Sequence, residues 1–178
     1  MKLRIAIMLL PFLTLPLLQA QDSNKSGSNI SAQGRGYFFV GPIAATYAGP
    51  APNWGHQINT GAGAEVLFYR GLGVGFEAGY ARSGNVYQSV GIGSFDVCYH
   101  YINRKHPRRV EPFVAAGPSV FFGNGGNPGG FNVGGGINVW LAKHLALRFE
   151  VRDHLGISAL EFPGRTGFVA FRAGVTFR

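Results

Sequence analysis

The 178-residue sequence contains a single cysteine, Cys98. One cysteine excludes an intramolecular disulfide, and with it the small secreted folds that depend on disulfide bridges for their stability. From Arg35 to the end of the chain, no stretch shows sustained helical periodicity, which argues against a helical domain. Lysine is also nearly absent from the segments rich in β-forming residues, although lysine is common on the solvent face of soluble sheets.

Glycine, in contrast, is abundant, with 28 residues in the chain. Short β-rich segments alternate with clusters of Gly, Pro and Asn, a pattern that is typical of an all-β protein. We expect eight strands, near residues 35–47, 57–69, 72–82, 87–102, 110–122, 131–141, 145–156 and 166–177. The fourth shows a change of alternation near Gly91 to Gly93, which we interpret as a bulge or kink.

The first 20 residues have the plan of a secretory signal peptide. Lys2 and Arg4 precede an apolar stretch, and the small residue Ala20 supplies a cleavage site. The stretch is short for a membrane helix and contains Pro11 and Pro16. We therefore predict a signal peptide at 1–20, a polar and flexible lead-in at 21–34 and one folded domain at 35–178.

Alternation along the strands separates an apolar face from a face rich in glycine and charge. The final strand places Val169, Phe171 and Phe177 opposite Arg172, and other strands repeat this pattern. The charged face collects Glu65, Glu77, Glu111, Arg148, Glu150, Arg152 and Arg172. Arginine and glutamate beside small residues suit an enclosed interior, where each charge needs a partner. We expect these seven residues to form a charge network inside a barrel.

Two barrel classes have this alternation. A soluble lipocalin-type barrel would turn its charged face to solvent, whereas an outer-membrane barrel turns its apolar face to lipid. The glycine-rich, lysine-poor charged face favours the membrane barrel. The connections agree, because tight turns such as Arg70-Gly71 alternate with mostly longer loops, including 48–56, 123–130 and 156–165.

Three segments resemble the small OmpA-like outer-membrane β-barrel family: "EPFVAAGPSV", "FNVGGGINVWLAKHLALRFEVRDH" and the terminal "AGVTFR". The family shares a glycine-rich strand, a tight turn and a strand of the form L-x-L-R-x-E-x-R. The resemblance implies an eight-stranded antiparallel up-and-down transmembrane barrel, which the assembly machinery of the outer membrane inserts after export.

Two further constellations suggest chemistry. Asp96, Cys98 and His100 alternate on one strand and could approach a soft metal, but the three span about 13 Å, too far for one ion. His154, Ser158 and Glu161 suggest a hydrolase of the lipid A deacylase kind, whose His and Ser lie two residues apart on a strand. Here that gap is four and extends into a loop, so we assign these three to a loop. We predict no catalytic residue, no metal site and no cofactor.

The sequence therefore predicts a monomeric outer-membrane protein with a structural role and loops available for surface contacts. Eight strands enclose a space that side chains nearly fill, which favours a plugged interior over a narrow ion or small-solute channel. The expected partners are outer-membrane lipids and the assembly machinery. The basic residues Arg104, Lys105, Arg108 and Arg109 suit anionic lipid head groups rather than nucleic acid, which an exported chain does not routinely meet.

Overall fold

The computed structural model describes residues 32–45, 57–82, 89–102, 109–123, 129–156 and 167–178. These residues form eight strands: β1 (Gln33–Ala45), β2 (Gln57–Tyr69), β3 (Leu72–Arg82), β4 (Val90–His100), β5 (Val110–Phe122), β6 (Gly129–Ala142), β7 (Leu145–Gly156) and β8 (Gly167–Phe177). Each strand pairs antiparallel with the next, and β8 returns to pair with β1. The predicted all-β, eight-stranded up-and-down barrel is confirmed.

The strand bounds follow the sequence prediction closely, and β2, β3, β5 and β7 agree with it residue for residue. β1 begins at Gln33, inside the predicted lead-in. The predicted signal peptide and most of the lead-in lie outside the described residues. No helix long and apolar enough to cross a membrane occurs in the part of the chain that is described.

The predicted bulge in β4 is wrong. The pairing of β4 with β3 keeps one register from Val90 to Tyr99, and Gly91 and Gly93 stay in phase on the outward face. The apparent change of alternation arises because outward glycines neighbour the inward Ile92. Register shifts occur instead between Leu67 and Tyr69 and between Trp140 and Ala142, beside tight turns.

Two tight turns mark one end of the barrel, which we call the turn end. Arg70 and Gly71 connect β2 to β3 with positive φ angles of 48° and 95°. Glycine adopts this left-handed conformation at little cost, and a Cβ at Gly71 would collide with the carbonyl oxygen of His100. Lys143 and His144 form the second turn, between β6 and β7. The opposite end is the loop end.

The outward face is apolar over most of its height. Exposed side chains on this face include Phe38, Phe76, Phe95, Val97, Val114, Phe131, Phe149, Val151 and Phe171. Among the described strand residues, only Arg82 and Asp153 place a charge on it, both towards the loop end. A soluble barrel would expose these apolar side chains to water, so this exterior suits lipid.

The inward face is polar through most of the barrel and apolar at the loop end. There, Ile43, Ala81, Ile92, Phe121 and Ala170 form a buried cluster with Val90 and Phe168 packed against it. We call this group the loop-end apolar cluster. Towards the turn end, charged side chains line much of the interior, beside a smaller buried cluster of Leu67, Cys98 and Ala115 with Ile102 packed against it.

Candidate functional site in the barrel interior

The seven residues predicted to share an interior network all point into the barrel and are buried. Arg148, Arg152 and Glu77 are at most 2% exposed. Glu65, Glu111, Glu150 and Arg172 retain between 4% and 6% exposure. Burying an unpaired charge costs several kcal/mol, so the partners of each side chain determine whether this arrangement is stable.

Five side chains meet near the turn end, and we call them the turn-end cluster: Arg35, Glu65, His100, Glu111 and Arg148. Arg35 donates to both carboxylate oxygens of Glu111, with an Nη2–Oε2 distance of 3.2 Å. His100 Nδ1 lies 2.7 Å from Glu111 Oε1, and its Nε2 lies 3.2 Å from Glu65 Oε1. Arg148 Nη1 donates to Glu65 Oε2 at 3.5 Å.

A second group, the central cluster, occupies the middle of the barrel and consists of Glu77, Asp96, Glu150, Arg152 and Arg172. Arg152 donates to Glu150 and to Asp96, each at 2.5 Å. Arg172 Nη1 donates to Glu77 Oε1 at 2.8 Å. Each carboxylate in this cluster therefore faces at least one guanidinium.

One ion pair joins the two clusters. Arg148 Nε donates to Glu150 Oε2 at 3.1 Å, while the same guanidinium reaches Glu65 in the turn-end cluster. Glu150 also accepts from Arg152, so it lies between two arginines. The charged side chains thus form one continuous network along the interior, in which Glu150 and Arg148 are the connecting residues.

Aromatic rings on the inward face fill the space beside the arginines. The guanidinium carbon of Arg148 lies 4.1 Å from the ring centre of Tyr37 and 3.9 Å from that of Phe113. Arg172 lies 4.1 Å from the ring centre of Phe39. Such cation–π contacts favour a desolvated guanidinium and hold it in place. The sequence of β1 is apolar on both faces, and the structure points Tyr37 and Phe39 inward.

Glycines opposite the large side chains provide the room that the network occupies. Gly136 on β6 pairs with Glu150, and a Cβ there would overlap the backbone of Phe149 and approach Glu150. Gly75 on β3 lies between Glu65 of β2 and Asp96 of β4. The glycine excess in the sequence therefore has a packing cause.

The seven predicted residues do not include several members of this network, namely Arg35, Asp96, His100 and His154. Arg172 Nη2 donates to His154 Nε2 at 2.9 Å, and the His154 ring stacks on Phe168 with 4.8 Å between ring centres. Alternation could have found His154, which has the parity of Arg148 and Arg152 on β7, whereas β1 and β4 contain none of the seven predicted residues. Arg35 was overlooked because the rest of β1 is apolar.

Of the Asp96, Cys98 and His100 constellation considered in the sequence, the structure separates Asp96 from His100. Asp96 pairs with Arg152, whereas His100 belongs to the turn-end cluster. The strand predicted at 145–156 is correct for His154 and the interpretation of this residue as part of a loop is wrong, because it lies on β7 and is fully buried inside the barrel. Ser158 and Glu161, the other members of the suggested triad, lie outside the described residues.

Aromatic and aliphatic side chains lie at each end of the charged network. At the turn end, the Trp140 ring lies between the guanidiniums of Arg35 and Arg178, at 5.3 Å and 3.9 Å from its centre, and its Nε1 donates to Glu111. At the loop end, the loop-end apolar cluster covers the charges, and Phe168 and Phe121 contact His154. Among the described residues, aromatic and aliphatic side chains therefore lie at both ends of the charged network.

Comparison with solved structures identifies the architecture. Neisserial surface protein A matches with a TM-score of 0.65 at 12% sequence identity, over 83% of this chain and 98% of that chain. The N-terminal β-barrel domain of Pseudomonas aeruginosa OprF matches with a TM-score of 0.56 at 13% identity, over 83% and 98%. This is the fold of the small outer-membrane β-barrels. The predicted resemblance to that class is confirmed for the fold, and these neighbours agree with the predicted location in the outer membrane.

A de novo designed transmembrane β-barrel also matches, with a TM-score of 0.54 at 15% identity, over 81% of this chain and 92% of that chain. No protein-family model and no curated protein matches the sequence. Because a designed barrel has the same fold, the fold by itself specifies no ligand. The function of this chain has to be inferred from its own faces and interior.

Proposed function

We propose that the protein is an integral outer-membrane β-barrel with a structural, non-catalytic role, a plugged interior and loops available for surface contacts. In this proposal the chain is a monomer, its direct partners are outer-membrane lipids, and the outer-membrane assembly machinery inserts it. The predicted contact loops lie almost entirely outside the described residues, so the proposal rests on the barrel wall and its interior.

The apolar exterior supports membrane insertion. Closure of the sheet pairs the backbone groups of each strand with those of its neighbours, which the hydrocarbon of a bilayer requires. The strands of 11 to 14 residues are long enough, because a tilted strand crosses the hydrocarbon with about 9 to 11 residues.

The continuous charge network is the observation that carries the proposal of a plug. Arginine and carboxylate side chains reach across the interior from opposite strands, as Arg152 on β7 does to Asp96 on β4 and Arg172 on β8 does to Glu77 on β3. An ion crossing this interior would have to displace charge-assisted hydrogen bonds, which are about twice as strong as neutral ones. An eight-stranded barrel has room for little else once these side chains occupy it.

Planar-bilayer recording tests the plug against the channel. We expect the purified protein to give no stable conductance steps, although flotation with liposomes shows that it has inserted. Steady steps from the wild-type protein, abolished or resized by Arg148→Ala or Glu150→Ala, would overturn the plug and favour a narrow channel. The outward substitution Phe149→Leu is the matched control, because it leaves the interior unchanged.

A further inference from the structure

Three potential metal ligands meet within the turn-end part of the interior. One ligand atom from each of Glu65, Cys98 and His100 lies within 4.8 Å of the other two. All three residues are buried, with exposures of 4%, 3% and 0%. The bonds from zinc to sulfur, nitrogen and oxygen are about 2.0–2.3 Å long, so two ligands of one tetrahedral ion lie about 3.3–3.7 Å apart. Small side-chain rotations would therefore bring all three to one ion.

The glycines of β3 make this meeting possible. Cys98 and His100 alternate on β4, whereas Glu65 lies on β2, with β3 between them. Gly73 pairs with Cys98, and Gly75 pairs with Glu65, so β3 presents no side chain at these two inward positions. The sequence placed Asp96 beside Cys98 and His100, but the structure supplies the carboxylate of Glu65 from two strands away.

The orientation of His100 is that of a metal-binding histidine. Its Nδ1 lies 2.7 Å from Glu111 Oε1, and a carboxylate on one ring nitrogen commonly directs the other nitrogen towards a metal. The other nitrogen, Nε2, is buried and faces Glu65 Oε1 at 3.2 Å. An ion bound by the imidazole and the carboxylate would take the place of this contact.

The charge balance of the interior also accommodates a cation. Among the described strand residues, the inward face holds four guanidiniums, Arg35, Arg148, Arg152 and Arg172, and five carboxylates, Glu65, Glu77, Asp96, Glu111 and Glu150. A protonated His100, which faces both Glu65 and Glu111, balances this excess, and a divalent ion bound to the thiolate of Cys98 adds the same single positive charge in its place. The guanidiniums of Arg35 and Arg148 lie 3.8 Å and 3.5 Å from Glu65 and repel a bare divalent cation. Coordination by the Cys98 thiolate halves the net charge of the ion and reduces this repulsion.

From these observations we propose that Glu65, Cys98 and His100 form a binding site for a divalent transition-metal ion, with zinc the best match. A thiolate, an imidazole and a carboxylate are a donor set that zinc accepts, whereas calcium and magnesium prefer oxygen alone. Binding requires Cys98 to lose its proton and His100 Nε2 to be free of one, so protons are released as the ion binds. Glu111 is not a ligand in this proposal and holds the His100 ring in position.

Refolding the protein into detergent with Co²⁺ tests the site directly. We expect one equivalent of Co²⁺ to bind and to give the near-ultraviolet band of a thiolate–cobalt bond, which Zn²⁺ then displaces. Cys98→Ser should remove this band and weaken Zn²⁺ binding at least tenfold. The matched control is His154→Gln, which alters the other buried histidine and should keep the band. Only samples with the heat-sensitive electrophoretic migration of a closed barrel are compared.

A second measurement covers the case in which a variant fails to fold. Zn²⁺ should raise the thermal unfolding midpoint of the wild-type protein, because an ion that binds only the folded state stabilises it. The absence of a thiolate band and of a Zn²⁺-dependent midpoint in the folded wild-type protein would overturn the proposal. So would a Cys98→Ser variant that folds and binds Zn²⁺ as tightly as the wild type does.

Discussion

The inner and outer faces of a single strand, β7, differ in both charge and exposure. Leu147, Phe149 and Val151 point outward and are between 37% and 47% exposed, while Arg148 and Arg152 point inward and are at most 2% exposed. In a soluble protein this amphipathic pattern would place the charges in water. Here the solvent of the outer face is lipid, and the charged residues form the core.

The two faces also obey different rules of specificity. Lipid accepts any apolar side chain of roughly suitable size, so the outer face tolerates exchange among Leu, Val and Phe. The inner face requires particular partners, because each guanidinium needs a carboxylate at hydrogen-bond distance. We therefore expect the stability of this barrel to depend more on a few inward residues than on many outward ones.

The largest effect is expected from Glu150→Leu. This substitution removes the carboxylate that accepts from Arg148 and Arg152, and it leaves both guanidiniums short of a partner. Removing one member of a buried ion pair costs about 3–5 kcal/mol. Urea unfolding of the barrel in lipid bilayers should show a loss of this size in the free energy of unfolding.

Phe149→Leu, one residue away, is the matched comparison for the outer face. Phe149 is 46% exposed, and leucine is equally compatible with lipid. We expect a loss below about 1.5 kcal/mol, the usual limit for exchange between apolar side chains of similar volume. A larger loss for Phe149→Leu than for Glu150→Leu would mean that the two faces have been assigned the wrong way round.

An effect between those of Glu150→Leu and Phe149→Leu is expected when a charge is placed in the middle of the outer face. Val151→Arg puts a guanidinium in the middle of the apolar exterior, which costs about 2–4 kcal/mol at the bilayer midplane. Leu145→Arg makes the same change at the turn end, where the cost falls to about 0–1 kcal/mol. Unfolding both variants in the same bilayers measures the difference, and equal losses would contradict a membrane-spanning outer face.

Alternation in the sequence predicted where the strands lie and which of their residues point inward. Both properties depend on a residue and its neighbours in the chain. β7 illustrates this, since its polar set at even positions is inward throughout. The bulge predicted near Gly91 and Gly93 was wrong because glycine has no side chain. The sequence therefore gives no sign that these two residues continue the outward face.

The partners inside the barrel were not predictable in this way. Arg35 reaches Glu111, and Glu65 approaches Cys98, because closure and strand pairing bring distant segments together. The side chains that meet depend on the register of every intervening pair and on which inward positions are glycine. The alternation within one strand contains no information on the register between strands. It therefore identified inward residues without identifying their contacts.

Outward aromatic side chains of the barrel wall face lipid, whereas inward aromatic side chains are buried among the interior residues. This difference is tested most directly by the fluorescence of single tryptophans in bilayers whose acyl chains carry bromine, in a background with Trp54 and Trp140 replaced by phenylalanine. Phe149→Trp should be strongly quenched by the brominated chains. Phe113→Trp, at an inward position that is 3% exposed, should be nearly unaffected in a barrel with heat-sensitive migration. Equal quenching at the two positions, or stronger quenching at 113, would contradict the account.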